Sequence, residues 1–276
     1  MADENADLRF QNTTLVLAGH GSTRNPDSAI PTYDLADTLA ARGLFAEIKA
    51  GFVKQEPKLA GVLATCTTET VVIVPNMACR GYITATVIPR DAGLSGSVTE
   101  RQNPKTGRAQ RIHLTDPIGT DPRVGEAIAA NIHAMMKQAG LGMGETALLL
   151  IGHGSEKSRE SFNETRALAD RLPALGLNCE RALAFLEEAP EIPGWSARVD
   201  AANVIVQPVL IAAGLHGAED IPAQLGLDPD GMKTNPETGA AGPYDVDGRK
   251  VWYLRAIGED PVLADIVLDR VSEILA

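Results

Sequence analysis

The sequence predicts an α/β protein made of two duplicated halves, each with a parallel β-sheet flanked by helices, and a cleft between them. Two observations lead to this fold class. The tetrapeptide Gly-His-Gly-Ser occurs at residues 19–22 and again at 152–155, an offset of 152 − 19 = 133. Apolar, strand-like runs also alternate with helical patterns in the same order on both sides of the chain. Self-similarity at one fixed offset is typical of a duplicated unit.

The offset of 133 continues beyond the tetrapeptide. The Leu-Ala-Asp of residues 35–37 returns at 168–170, and Pro57 and Pro75 return as Pro190 and Pro208. A glycine-rich stretch near residues 138–145 separates the copies. We therefore predict an N-terminal half at residues 1–140 and a C-terminal half at 145–276.

The elements are predicted from hydrophobic runs and proline positions. Buried parallel strands are short apolar runs, and proline suits the first turn of a helix. The predicted strands are residues 13–18, 46–53, 70–74 and 111–114, and then 147–151, 180–186, 203–206 and 251–254. The predicted helices are residues 33–41 and 164–172, short helices after Pro57 and Pro190, and helices from Pro122 and Pro261. A Gly/Pro/Asp-rich insert precedes the last strand of the second half.

Composition narrows the function classes. An apolar content of 44% in 276 residues is normal for a globular protein with a substantial core. The net charge of −11 argues against a general nucleic-acid or anionic-membrane binder. The sequence shows no secretory signal and no apolar run long enough to span a bilayer, so we expect a cytoplasmic protein. Its three cysteines form no CxxC pair, which argues against a disulfide framework and a cysteine-bound metal centre.

The second half carries a candidate metal site. His153 ends its first predicted strand, Glu187 follows the second, and His216 follows the third. Because parallel strands end at one edge of a sheet, these side chains are expected to converge. Two imidazoles and a carboxylate suit a divalent first-row transition metal. Glu188 is the alternative acidic ligand if the register slips by one residue.

Asp220 has two interpretations. It could orient the imidazole of His216 from outside the ligand set. Alternatively, it is a carboxylate favoured by the helix dipole at a helix N-terminus.

The first half has lost these residue types. Subtracting 133 maps His153 to His20, Glu187 to Lys54 and His216 to Ile83. Lysine at a ligand position would repel a cation. Because the two halves share one fold, residue types found in only one half indicate function and not structure. The comparison predicts a single metal site, in the second half.

Three segments carry a family resemblance: Gly152-His-Gly-Ser, Phe185-Leu-Glu-Glu-Ala-Pro, and Gly214-Leu-His through Asp220-Ile-Pro. They resemble the class II, ATP-independent tetrapyrrole chelatases and, more narrowly, the sirohydrochlorin chelatase (CbiX/SirB) family. The resemblance implies insertion of Co²⁺, Fe²⁺ or Ni²⁺ into sirohydrochlorin, for cobalamin or siroheme synthesis. It makes His153, Glu187 and His216 the metal ligands and catalytic residues, with no cofactor beyond the metal substrate. The histidine-rich tail and cysteine cluster of some cobalt-branch members are missing here, so the metal is not assigned by them.

Sirohydrochlorin is rich in carboxylates, so cations are expected around it. Lys54, Arg80 and Arg24 are candidates, and the alternative is that they are solvated surface charges. Ser22 and Ser155 could donate hydrogen bonds to a carboxylate or stabilise their turns, and His20 is a further candidate contact. Since the duplication supplies both halves, we expect a monomer or weak homo-oligomer whose partners are the tetrapyrrole and the metal ion.

Three other functions were weighed. A hydrolase using Ser155 with His153 or His216 is disfavoured because the Gly-x-Ser-x-Gly elbow is missing. A protoporphyrin ferrochelatase is disfavoured by the short chain and the 4% aromatic content. A non-catalytic carrier of tetrapyrrole or metal stays open as the alternative.

Overall fold

A computed structural model of the chain describes residues 10–155, 158–211, 216–235 and 239–276, although not the side chain of His216. It contains two five-stranded sheets, which confirms the predicted α/β class. Their strand orders are β2-β1-β3-β5-β4 and β7-β6-β8-β10-β9. In each sheet four strands are parallel, and the last-named edge strand is antiparallel to its neighbour. The strands are β1 (Phe10–Gly19), β2 (Phe45–Phe52), β3 (Thr70–Pro75), β4 (Val98–Gln102), β5 (Ala109–Leu114), β6 (Thr146–Gly152), β7 (Glu180–Phe185), β8 (Asn203–Pro208), β9 (Ala240–Val246) and β10 (Arg249–Leu254).

Helices connect and cover the strands. The α-helices are α1 (Ile30–Ala40), α2 (Leu59–Thr65), α3 (Ile88–Ala92), α4 (Pro122–Ala139), α5 (Glu160–Arg171), α6 (Ile221–Leu225) and α7 (Val262–Leu275). Single π-helical turns, Ile83–Val87 and His216–Asp220, lead directly into α3 and α6. Such turns often occur at functional sites. Proline stands at the start of α4 and just before α7, as the sequence predicts.

The central strands are apolar on both faces. In β1, residues Leu15 to Ala18 are completely buried, and in β6 the same is true of Ala147 to Ile151. Residues alternate between the two faces of a strand, so an uninterrupted buried run requires cover on both sides of the sheet. This burial supplies the main driving force for folding, at about 25 cal/mol per Å² of apolar surface.

Each sheet has its own core. The first includes Val16, Ala18, Val71 and Ile73 from the strands with Leu59 and Leu63 from α2. The second includes Leu149, Ile151, Val204 and Val206 with Trp195 and Ile221. The indole N–H of Trp195 donates to the carbonyl of Leu225, so this buried donor is satisfied.

The eight predicted strands are all present, but the two antiparallel edge strands, β4 and β9, were not predicted. Strand β9 comes from the Gly/Pro/Asp-rich insert and pairs antiparallel with β10. Pro243 is compatible with this position because an edge strand has ladder hydrogen bonds on one side only. The short helix predicted after Pro190 is a 3₁₀ turn, Trp195–Arg198.

The chain divides into two compact units, and their limits differ from the predicted boundary. Unit 1 is Met1–Thr120 with Pro261–Ala276, and unit 2 is Asp121–Asp260. The predicted halves, 1–140 and 145–276, assign α4 and α7 the other way round. The period gives the length of the repeat, whereas packing decides which sheet a terminal helix covers.

Contacts of α4 show why it belongs to unit 2. Gly125 leaves room for Leu168 of α5, since a Cβ there would lie 3.1 Å from its Cδ1 atom. An imidazole nitrogen of His133 is hydrogen-bonded to the carbonyl of Leu175 at 3.0 Å. Asn131 donates to Asp260 at 3.0 Å. All of these partners lie within unit 2.

In unit 1, α7 is fixed by an ion pair, a hydrogen bond and buried side chains. Arg42, just beyond α1, pairs with Asp265 at 2.7 Å. Arg270 donates to the carbonyl of Asp116 at 2.8 Å. Leu263, Ile266, Val267 and Val271 are buried, so α7 covers part of the unit 1 core.

The cysteines are free thiols. Cys66 and Cys179 are buried, and burial raises the pKa of Cys66 to about 11. Among the helices of the described residues, none is long and apolar enough to cross a membrane.

Candidate functional site

The candidate site lies at the carboxyl edge of the second sheet. Strand β6 is flanked by β7 on one side and β8 on the other. The connection after β6 leads to β7 on one side, and the connection after β7 leads to β8 on the other side, so the strand order reverses between β6 and β8. Ligands of open α/β sheets bind at such a switch point. His153 follows β6 and His216 follows β8, the two strands on either side of this switch point.

Backbone hydrogen bonds hold His153 beside the segment that follows β7. The amide N–H groups of Leu186 and Glu187 both donate to the carbonyl of His153, at 3.1 and 2.9 Å. Sheet pairing thus continues past the ends of β6 and β7. The carboxylate of Glu187 consequently lies near the imidazole, with 3.7 Å between Glu187 Oε2 and His153 Nδ1.

The local geometry selects a tautomer of His153. Its Nδ1 is 3.0 Å from the carbonyl oxygen of Gly154. A protonated Nδ1 donates to that carbonyl, which places the lone pair of the neutral ring on Nε2. The side chains of His153 and Glu187 are 41% and 57% exposed, so an ion from solvent can reach both.

Gly154 is required by this loop. Its φ is +76°, a left-handed conformation that favours glycine. A Cβ there would lie 2.9 Å from Glu188 Cγ and 3.0 Å from Glu188 N. The loop and the Glu187–Glu188 segment are therefore in direct contact.

The two glutamates have different environments. Glu188 has only 9% of its side chain exposed, and its Oε2 lies 3.5 Å from Arg159 Nη1. Its Oε1 is buried and has no hydrogen-bond partner among the described residues. The geometry thus favours Glu187, and not the alternative Glu188, as the carboxylate beside His153.

His216 begins the π-helical turn before α6. The buried hydroxyl of Tyr253 anchors this turn by donating to the carbonyl of Gly217 at 2.6 Å. Burial raises the pKa of Tyr253 far above its usual value, so the phenol keeps the proton that it donates. The imidazole of His216 lies outside the described part of the chain, and its convergence with His153 and Glu187 stays a prediction. Among the side chains that are described, no three His, Cys, Asp or Glu groups are arranged to hold a metal.

Unit 1 repeats the scaffold with different chemistry. Lys54 N donates to the carbonyl of His20 at 2.8 Å, as Glu187 does to His153. His20 Nδ1 lies 2.8 Å from the carbonyl oxygen of Gly21. The equivalence of Lys54 and Glu187 therefore holds in three dimensions, and the exposed Lys54 stands where unit 2 has its carboxylate.

Gln55, the counterpart of Glu188, has a structural role that the sequence analysis missed. Its Oε1 accepts hydrogen bonds from Ser22 N at 2.8 Å and from Ser28 Oγ at 3.1 Å. The hydroxyl oxygen of Ser22 accepts from the backbone N–H groups of Arg24 and Asn25, both at 3.1 Å. Ser22 thus stabilises its turn, one of its two predicted roles, and its hydroxyl takes part in these bonds only as an acceptor. Subtracting 133 from Glu188 would have identified Gln55.

The predicted substrate-binding cations are not equivalent. Arg80 forms a two-point ion pair with Asp116, at 3.1 and 2.7 Å. This guanidinium lowers the pKa of Asp116 below its usual value. Arg24 and Lys54 are exposed. Ser155 is half-buried, and the two residues after it lie outside the described ranges.

Unit 1 also exposes apolar side chains that the sequence analysis did not select. Ile30 and Tyr33 in the first turn of α1 are 48% and 40% exposed. The ring of Tyr33 packs edge-on against Phe52, at the end of β2, with 5.2 Å between centroids. The corresponding residues of unit 2 are polar, Asn163 and Arg166.

The chain matches known proteins over nearly its whole length. The model of the CbiX family matches residues 14–134 and 147–274, one match for each copy of the repeat. A relative from Halobacterium salinarum, named a probable sirohydrochlorin cobaltochelatase, is 32% identical over 94% of this chain and 90% of its own length. The sirohydrochlorin cobaltochelatase of Methanopyrus kandleri is 30% identical over 47% of this chain and 96% of its own length, so it corresponds to a single half.

A solved structure supports the fold. A Deinococcus radiodurans protein, described as multi-domain with structural similarity to chelatases, superposes with a TM-score of 0.70 and 28% identity. The match covers 95% of this chain but 55% of that protein, which is described as carrying two additional domains. With both copies of the repeat matched by the family model, the chain belongs to the CbiX family.

Proposed function

We propose that this protein is an ATP-independent chelatase that inserts a divalent metal ion, Co²⁺ in the first place, into sirohydrochlorin. The observation that carries the proposal is the pair of unlike loops on one scaffold. Unit 2 has Glu187 3.7 Å from His153, and unit 1 has Lys54 at the equivalent place beside His20. Both loops have a histidine, but only the loop of unit 2 has a carboxylate beside it, and this pair is suited to binding a cation. The relatives named cobaltochelatases support both the substrate and the metal.

In this proposal the metal ion, as substrate, binds to His153 through Nε2, to a carboxylate oxygen of Glu187 and to His216. Three protein ligands leave coordination positions open for water and for the incoming pyrrole nitrogens. The exposure of His153 and Glu187 suits a site that must release its ion at each turnover.

Metal insertion also displaces two protons from the pyrrole nitrogens. A neutral imidazole accepts a proton near pH 7, which suits it to general-base catalysis. As the ring nitrogens replace the protein ligands, His153 and His216 lose the metal and become available as proton acceptors. The same residues then perform both parts of the exchange, and no further cofactor is required.

The carboxylates of sirohydrochlorin need cationic or hydrogen-bonding partners. Lys54 and Arg24 are exposed and are the favoured cations. Arg80 would have to share its guanidinium with Asp116. His20, Ser22 and Ser155 remain proposed substrate contacts.

The donor set also accepts other divalent ions. Affinity at nitrogen and oxygen ligands rises from Fe²⁺ through Co²⁺ to Ni²⁺, so metal supply contributes to the choice. Affinity alone would favour Ni²⁺, and it is the relatives named cobaltochelatases that make Co²⁺, for cobalamin synthesis, our first assignment. Fe²⁺, for siroheme, is the second.

The decisive experiment is a chelation assay that follows the absorbance of metal-free sirohydrochlorin with Co²⁺, Fe²⁺ or Ni²⁺. We expect turnover by the wild-type protein. His153→Ala and His216→Ala should each reduce the rate at least about 100-fold, more than the loss typical of residues that merely support a ligand. His20→Ala is the matched control and should have a much smaller effect.

Two outcomes would contradict this proposal. Wild-type turnover by His216→Ala would remove that residue from the site. Stoichiometric binding of Co²⁺ or sirohydrochlorin without turnover would favour the alternative, a non-catalytic carrier.

A further inference from the structure

We infer that Glu188 is a second carboxylate of the cation site, which strengthens cation binding through its charge and not by coordination. The inference rests on the proposed function, because it concerns the same divalent substrate. It adds a residue beyond the His153, Glu187 and His216 set. The observations behind it are the burial of Glu188, its counterpart in unit 1 and the charges around it.

The carboxylate of Glu188 is largely buried, and its negative charge is only partly balanced by a positive one. Its stem packs against Gly154, and 9% of its side chain is exposed. Oε1 has no hydrogen-bond partner among the described residues, and Oε2 is 3.5 Å from Arg159 Nη1. Arg159 is 64% exposed, so water screens much of its charge. Among the described residues, the negative charge of Glu188 is therefore only partly balanced, and burying it costs stability.

Unit 1 shows that the loop does not need this charge. Gln55 packs against Gly21 as Glu188 packs against Gly154; a Cβ on Gly21 would lie 2.7 Å from Gln55 Cγ. The neutral amide also fixes the loop, through the hydrogen bond from Ser22 N. Glutamine and glutamate have nearly the same shape. The hydrogen bonds differ, since Ser28 Oγ donates to Gln55 whereas its counterpart Ser161 accepts from Gly154 N. The loop of unit 1 nevertheless forms around a neutral side chain, so the charge of Glu188 is not needed to form a loop of this shape.

The charges of the two units at this position differ in the direction expected if unit 2 binds a cation. Unit 1 carries Lys54-Gln55, a net charge of +1, where unit 2 carries Glu187-Glu188, a net charge of −2. A divalent cation interacts with each nearby unit charge twice as strongly as a monovalent one. Glu188 is too buried to replace solvent in the coordination shell, but its field acts on an ion held by His153 and Glu187.

The matching experiment replaces Glu188 by the residue that unit 1 already uses. Co²⁺ affinity is measured by titrating the full-length protein with Co²⁺ alone and following the absorbance of the bound ion. We expect Glu188→Gln to raise the Kd roughly three- to tenfold, as for one unit charge just outside the ligand set. Thermal unfolding should show an unchanged or slightly higher midpoint.

A second variant tests the sign of the effect. Arg159→Met removes the positive charge beside Glu188 and keeps an apolar stem against Phe162, over whose ring the guanidinium lies at 4.0 Å. We expect Co²⁺ to bind about two- to threefold more tightly. If the Arg159–Glu188 contact were only structural, breaking it from either side would weaken Co²⁺ binding. Weaker Co²⁺ binding in both variants would therefore overturn the inference.

Controls separate this inference from the proposed function. Gln55→Glu, the reverse change in unit 1, should leave Co²⁺ affinity unchanged. If His153→Ala and Glu187→Gln weaken Co²⁺ binding while Glu188→Gln does not, the role of Glu188 is wrong and the metal site stands. If neither His153→Ala nor Glu187→Gln affects Co²⁺ binding, the proposed site itself is wrong.

Discussion

At the scale of single residues, two loops of the same shape carry opposite chemistry. The backbone N–H of residue 54 or 187 donates to the carbonyl of the loop histidine in both units. Because these hydrogen bonds involve only the main chain, the side chain at this position is free to change without altering the loop. We therefore expect the difference between Lys54 and Glu187 to affect ion binding and not the fold.

This independence can be tested by charge reversal. Glu187→Lys should weaken Co²⁺ binding at least about 100-fold, because a cation replaces a ligand and repels the ion. Glu187 is 57% exposed, so the free energy of unfolding should change by less than about 0.5 kcal/mol. Co²⁺ titration and urea unfolding measure the two quantities.

The reverse change, Lys54→Glu, is the matched control for this prediction. It should not create a second site, because Ile83 stands where unit 2 has His216. A second Co²⁺ equivalent bound by Lys54→Glu would show that histidine and glutamate alone suffice.

At the scale of elements, strands are well specified by the sequence and helix partners are not. The central strands are apolar runs of a length that fits a sheet, and all eight of those predicted are present. Strands β4 and β9 were missed because Val98–Gln102 is mostly polar and Ala240–Val246 contains Gly, Pro and Asp, so neither is an apolar run; they pair through the backbone. The partners of α4 and α7 depend on contacts between residues far apart in the chain, which hydrophobic periodicity does not encode.

The position of α7 predicts an effect on unit 1. Ile266→Ala should destabilise unit 1 by about 2–5 kcal/mol, because the side chain is completely buried and its loss leaves a cavity. Relative to the wild-type protein, amide hydrogen exchange in Ile266→Ala should become faster in β1 and β3 and change less in β6 and β8. Glu273→Ala on the exposed face of α7 is the control. Loss of protection confined to β6 and β8 would contradict the assignment of α7 to unit 1.

At the scale of the whole molecule, each unit is built on one copy of the repeat, but the two units use different parts of the chain. Unit 2 is continuous from Asp121 to Asp260, whereas unit 1 needs both ends of the chain. The Methanopyrus kandleri relative, which matches about half of this chain, fits the view that one half forms a folding unit.

Continuity of unit 2 leads to a fragment test. Residues 121–260 contain α4 and all three predicted metal ligands, so this fragment should fold cooperatively and bind Co²⁺. Residues 145–276, the half predicted from the repeat, lack α4 and should be less stable, with apolar surface exposed. Circular dichroism, dye binding and Co²⁺ titration distinguish the two fragments. Equal stability would show that α4 contributes little to unit 2.

The sequence by itself determined the duplication, the order of the eight parallel strands and the inequality of the two halves. These properties are encoded in residue types and spacings, and comparing positions 133 residues apart reveals them. Only the tertiary structure placed Glu187 beside His153, paired Arg80 with Asp116 and assigned α4 and α7 to their units. It also showed that Glu188 is buried and that Gln55 fixes the other loop. Each of these depends on contacts between segments distant in the chain, because packing and hydrogen bonding, and not the period, decide which side chains meet.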